Sequence, residues 1–133
     1  MGYQSSVEIL TEWDIVAARQ LGRNEAKEVG FGTVDQARIT TAISELARNI
    51  YLYAGKGKIE IERITEGGLF GIIIIASDEG PGIPDVRKVM EDGFSTSGGL
   101  GAGMPGVKRL MDDFKVETVL GEGTVIKATK WIR

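Results

Sequence analysis

One pair of neighbouring segments constrains the fold of this chain more than any other feature. Residues 58–64, KIEIERI, alternate between apolar and charged, whereas residues 69–77, LFGIIIIAS, are apolar almost throughout. Strict alternation marks a strand with one buried face; an unbroken run rich in β-branched residues marks a strand covered on both faces. The TEGG between them makes a turn, so the pair reads as an antiparallel hairpin whose second strand is central and doubly covered. That strand then runs into DEGPGIP, Asp78 to Pro84, a segment that cannot continue a sheet. A core strand ending on a carboxylate beside two glycines raises the question of what approaches there.

The flanking segments supply the layer that covers the hairpin. SSVEIL, residues 5–10, is a short first strand. Thr11 and Asp14 make a capping box that opens a helix to about Glu28, with Trp13, Val16, Ala17 and Leu21 along one side. Thr33 and Gln36 make a second box, opening a helix over about 34–54 in which Ile39, Ile43, Leu46, Ile50 and Tyr53 face the core. Gly55 stops it. Beyond the hairpin, residues 84–92 read as a short helix with Pro84 at its start, and residues 104–114 as another. KVETVL and TVIKATKWI, joined at GEG, close the chain as two strands. A few helices against a mostly antiparallel sheet make an α+β two-layer sandwich, and 133 residues read as a single domain over 1–133.

Composition narrows the chemistry. A formal net charge of −3 argues against a nucleic-acid or membrane partner held by bulk electrostatics. No apolar run approaches the about 20 residues of a membrane span, and the first residues do not read as a signal peptide, so a cytoplasmic protein is expected. The sequence contains neither Cys nor His, which removes thiolate chemistry, a Cys-held zinc and self-phosphorylation on histidine. Acid–base work therefore falls to carboxylates.

Four short stretches carry chemical potential. In ELARN, Glu45 and Asn49 stand four residues apart and share a helix face; a carboxylate beside an amide oxygen suits a general base and a Mg²⁺ ligand. The same pair also fits a solvated polar face. In DEGPG, Asp78 is placed to accept a hydrogen bond from an exocyclic amine, with glycines allowing close approach, although a strand-ending turn explains it as well. Six of the 19 glycines fall in residues 93–106, and SGGLGAGMPG opens a helix near Met104, where free N–H groups favour phosphate. Lacking a preceding strand or a G-K-[ST] element, it is neither a dinucleotide fingerprint nor a P-loop, and a flexible glycine loop explains it equally. In GEGT, a tight turn explains the stretch by itself, although the Thr124 hydroxyl entering the last strand could also contact a base.

Their order and spacing together resemble the GHKL, or Bergerat-fold, ATP-binding domains: ELARN the N box, DEGPG and GLGAGM the two glycine boxes, GEGT the terminal threonine box. The resemblance spans essentially the whole chain. TEWDIVAARQLGR, TTAISELARNIYLYAGKG and EDGFSTSGGLGAGMPGVKRLMDDF are similar, more narrowly, to RsbT-type serine/threonine protein kinases of bacterial stressosomes.

This resemblance implies ATP and Mg²⁺ as cofactors. It implies that Glu45 activates the attacking hydroxyl, Asn49 binds Mg²⁺, and Asp78 reads the adenine amino group. Gly80 and Gly82 would keep side chains clear of the base, Gly99, Gly101 and Gly103 would wrap the phosphates, and Thr124 would support adenine recognition. Residues 92–103 would form a lid that orders on binding. It further implies STAS-domain stressosome proteins as substrates and a PP2C-type phosphatase as the partner activated afterwards. Anti-sigma factor kinases of the same fold often carry a His shortly after the N-box Asn; NIYLYAGKG has none. An anti-sigma kinase and a non-catalytic ATP-dependent adaptor are the alternative readings.

Overall fold

The computed structural model describes residues 4–83 and 103–133. Strand β1 (Gln4–Ile9) leads into helices α1 (Glu12–Val29) and α2 (Thr33–Asn49), the latter extended by a π-helical turn, Ile50–Ala54. Strands β2 (Gly57–Glu66) and β3 (Leu69–Asp78), helix α3 (Gly103–Leu110) and strands β4 (Asp113–Val119) and β5 (Gly123–Trp131) follow. The sheet order is β1-β2-β3-β5-β4, and every pairing is antiparallel. The α+β two-layer arrangement expected from the sequence is the one observed. The expected helix over 84–92 and most of the lid lie outside the described residues.

The β2–β3 hairpin sets the core. Ile59 lies opposite Ala76 and Ile61 opposite Ile74, while Ala76 and Ile74 face Ile126 and Ala128 of β5. Directly paired residues share a sheet face, and all six are buried under the helices with Ile39, Ile43 and Leu46 of α2. Each large aliphatic side chain so buried contributes about 1.5–3 kcal/mol. The other face is open. Ile73 lies between Glu62 and Thr129, Ile75 between Glu60 and Lys127, and both isoleucines are only half-buried. The isoleucine run is therefore central but not doubly covered.

Local chemistry explains the element ends. The Asp14 carboxylate accepts from the Leu10 and Thr11 backbone N–H groups, each at 2.8 Å, which starts α1 as the capping box predicts. These bonds hold its pKa below the usual carboxylate value, chiefly through Leu10 and then Thr11. The second box does not form. Thr33 is the first helical residue after Gly32, and the Gln36 amide reaches back to the Phe31 carbonyl at 2.8 Å. On α1, the buried stripe is Ile15, Ala18, Gly22, Glu25 and Ala26, so Trp13 is left 80% exposed. Glu25 is kept buried by Arg63 at 2.8 Å and the Ser5 hydroxyl at 3.2 Å. The final expected helix stops at Leu110 rather than Phe114. The Asp112 N–H donates to the Thr129 carbonyl at 2.8 Å and its carboxylate accepts from the Trp131 N–H at 2.7 Å, so β5 captures the chain as an edge strand.

Candidate functional site

A cavity of about 320 Å³ opens between α2, the end of β3, the start of β5 and α3. Leu46, Ile50 and Tyr53 form its helix side, Ala76 and Ile126 its floor, and Pro81, Ile83 and Met104 its rim. The polar groups reaching this apolar slot come from three elements: Asn49, Asp78 and Thr124. An apolar slot with a few convergent polar atoms is the usual form of a small-molecule site.

Asp78 is the last residue of β3 and pairs with Thr124 across the β3–β5 ladder, which puts both side chains on the helix-covered face. It is half-buried, and one carboxylate oxygen accepts the Gly80 N–H at 2.8 Å. This bond fixes the side chain and engages one of its two oxygens. Thr124 is 6% exposed, with its hydroxyl 3.0 Å from that of Thr118. Gly82 lies in the cavity wall at φ +82°, where a Cβ would come 2.8 Å from the Val119 carbonyl oxygen. At Gly80 a Cβ would come 2.6 Å from that of Ala54.

Asn49 and Glu45 sit one turn apart on α2. Asn49 points its amide nitrogen at the Met104 sulfur, 3.8 Å away, at the start of α3. Its amide oxygen and one Glu45 carboxylate oxygen are buried without a hydrogen-bond partner. Leaving such acceptors unmet costs about 1–3 kcal/mol each, so these two oxygens are the ones a water, cation or ligand donor would meet. An amide oxygen is a hard-cation ligand. Among the described residues no group of three or more carboxylate side chains could hold a metal alone. Mg²⁺ therefore fits at Asn49 only if a ligand such as a phosphate supplies further oxygens.

The sequence-predicted residues thus divide. Asn49, Asp78, Gly82 and Thr124 line one cavity, while Glu45 and Gly80 are not among its lining residues. Gly103 begins α3. Gly99 and Gly101 lie outside the described residues. The apolar lining belongs to none of the four motifs, although Ala76 and Ile126 lie two residues from Asp78 and Thr124, and strand residues two apart share a face. Gly123 also shapes this end of the sheet: a Cβ there would collide with the Asp78 carbonyl oxygen and come 2.9 Å from the Glu79 Cα.

Residues 34–132 match the family described as histidine kinase-, DNA gyrase B- and HSP90-like ATPases. The chain belongs to this ATPase family, in its branch of RsbT-type serine/threonine protein kinases. It is 76% identical, over all of both chains, to the serine/threonine-protein kinase RsbT of Bacillus subtilis (strain 168). It is also 38% identical to the anti-sigma F factor of Caldanaerobacter subterraneus subsp. tengcongensis, over 72% of this chain and 70% of that one. A crystal structure of the RsbU and RsbW domains of a Mycobacterium tuberculosis protein superposes with a TM-score of 0.65 at 18% identity. That match covers 100% of this chain and 33% of the other, and it bears on the fold. None of the described helices is long and apolar enough to cross a membrane.

Proposed function

We propose that this kinase transfers the γ-phosphoryl group of ATP to a serine or threonine of a STAS-domain stressosome protein. It then activates a PP2C-type phosphatase by binding it. The observation that carries the chemical half of this reading is the pair of buried, partnerless oxygens on Glu45 and Asn49. A substrate hydroxyl approaching Glu45 loses its proton to the carboxylate as its oxygen attacks the γ-phosphorus. The bond to the β–γ bridging oxygen breaks, and ADP leaves.

The other residues bind and orient. The free oxygen of Asp78 accepts from the exocyclic amine of adenine, and Ala76, Ile126, Ile50 and Met104 enclose the ring. The N–H groups at the start of α3, with the glycines at 99, 101 and 103, offset phosphate charge. Mg²⁺, held by the Asn49 amide oxygen and phosphate oxygens, supplies charge neutralisation when bound.

The similarity to anti-sigma F factors supports a second reading, in which the chain captures a sigma factor and phosphorylates its antagonist. Titration against a sigma factor and against a PP2C-type phosphatase separates the two, since only the proposed kinase binds the phosphatase. The primary test is incubation with Mg-ATP and a STAS-domain protein, followed by mapping of the phosphorylated residue. Phosphate on serine or threonine, lost in Glu45→Ala, is the expected result. Transfer by Glu45→Ala at the wild-type rate would refute the base assignment, and no transfer to any STAS protein would leave a nucleotide-dependent adaptor.

A further inference from the structure

The Thr118 hydroxyl stands outside the nucleotide cavity yet touches three groups that shape it. It accepts the Ile83 N–H at 2.9 Å, donates to the Gly123 carbonyl at 3.2 Å, and lies 3.0 Å from the Thr124 hydroxyl. A hydroxyl carries one proton and two lone pairs. A carbonyl oxygen accepts only, so the Thr118 proton is committed to Gly123. The Ile83 N–H occupies one lone pair. The contact with Thr124 is then a hydrogen bond only if Thr124 is the donor. With its own proton turned towards Thr118, Thr124 presents lone pairs to the cavity. Asp78, its cross-strand neighbour, presents a carboxylate there as well.

We infer that Thr118 is a positioning residue that fixes the proton of Thr124, and so makes this end of the cavity an all-acceptor site for an exocyclic amino group. The inference deepens the ATP reading and rests on it. An amino group brings two N–H donors to two acceptors, whereas a keto oxygen at the same ring position meets only lone pairs. Thr118 also anchors the segment that forms the rim. Through the Ile83 N–H it holds residues 81–83 against the β4–β5 turn, where the Gly121 N–H donates to the Pro81 carbonyl at 2.9 Å. Gly82 passes so close that a Cβ there would come 3.1 Å from the Thr118 oxygen.

The test compares wild type, Thr118→Val and Thr118→Ser for binding of Mg-ATP and Mg-ITP by calorimetry, with steady-state phosphorylation alongside. Valine keeps the β-branched shape on β4 but frees the Thr124 proton to point into the cavity. Thr118→Val is expected to weaken ATP binding about 3- to 10-fold, the worth of one net hydrogen bond. It is also expected to narrow the preference of ATP over ITP, with the kinetic loss in KM for ATP rather than in kcat. Thr118→Ser keeps the hydroxyl and retains the wild-type preference. A merely structural role predicts instead that both nucleotides lose affinity alike as the melting temperature falls, and that pattern overturns the inference. So does a Thr118→Val protein, or a folded Thr118→Ser protein where valine fails to fold, whose behaviour contradicts these expectations. A wild-type protein that binds neither nucleotide sinks the ATP reading itself, a result distinct from unchanged binding in Thr118→Val.

Discussion

Replacing Gly123 with alanine puts one methyl group against the backbone that ends β3. Gly123 has φ +133°, and its Cβ would collide with the Asp78 carbonyl oxygen and come 2.9 Å from the Glu79 Cα. The conformation costs a non-glycine residue about 1–2 kcal/mol. Overpacking against an atom that cannot rotate away adds about 1–3 kcal/mol, for a loss of about 2–5 kcal/mol. At about 3–5 °C per kcal/mol for a domain of this size, the midpoint of thermal unfolding followed by circular dichroism should fall by about 6–25 °C. Gly121→Ala isolates the first contribution: φ there is +79°, and nothing lies within 4 Å of the added Cβ. It should cost about 1 kcal/mol and leave nucleotide binding intact. The new methyl at 123 presses on the peptide that positions Asp78. Mg-ATP affinity measured below the transition should therefore drop at least about tenfold, by displacement of that carboxylate. If Gly123→Ala melts with Gly121→Ala and binds Mg-ATP like wild type, the backbone crossing at the end of β3 does not position the site.

Three further outcomes follow from named contacts. Asn49→Leu removes a buried oxygen that has no partner, so it should stabilise the nucleotide-free protein by about 1 kcal/mol in denaturant titration while abolishing Mg-dependent ATP binding. Trp13→Ser should change the melting temperature little, within about 0.5 kcal/mol, because the indole is 80% exposed. Asp14 has a folded-state pKa held below its unfolded value by the Leu10 and Thr11 N–H groups. Its contribution is therefore complete above the unfolded value near 3.8 and disappears as pH falls through the lowered folded value. The stability gap between wild type and Asp14→Asn should accordingly be constant near neutrality and close in strong acid, as read by urea midpoints across pH.

How much of this was legible in the sequence depends on whether a residue's role is local. Asp78 and Thr124 could be found because each sits where a strand meets a glycine turn, and the hairpin that delivers Asp78 is written in its periodicity. Tyr53 could not be placed correctly. The Gly55 N–H bonds to the Ile50 carbonyl at 2.8 Å, closing a π turn that holds one residue more than an α turn. The extra residue rotates Tyr53 out of the core to 47% exposure and onto the cavity wall, while Ile50 stays buried. On α1, two stripes competed, and the larger side chains lost. Gly22 faces α2 so closely that a Cβ there would collide with Ile43, so helix approach selects the small-residue stripe and leaves Trp13 outside. Phe114 carried a helical pattern that the exposed backbone of β5 overrode. Thr118 was the least legible, because its partners lie at 83, 123 and 124 and meet only through the β4–β5 register and the fold-back of the Pro81–Ile83 segment. Recognition chemistry confined to single turns of chain is thus visible before the fold, whereas the hydrogen bonds that orient it depend on register and become visible only with the sheet.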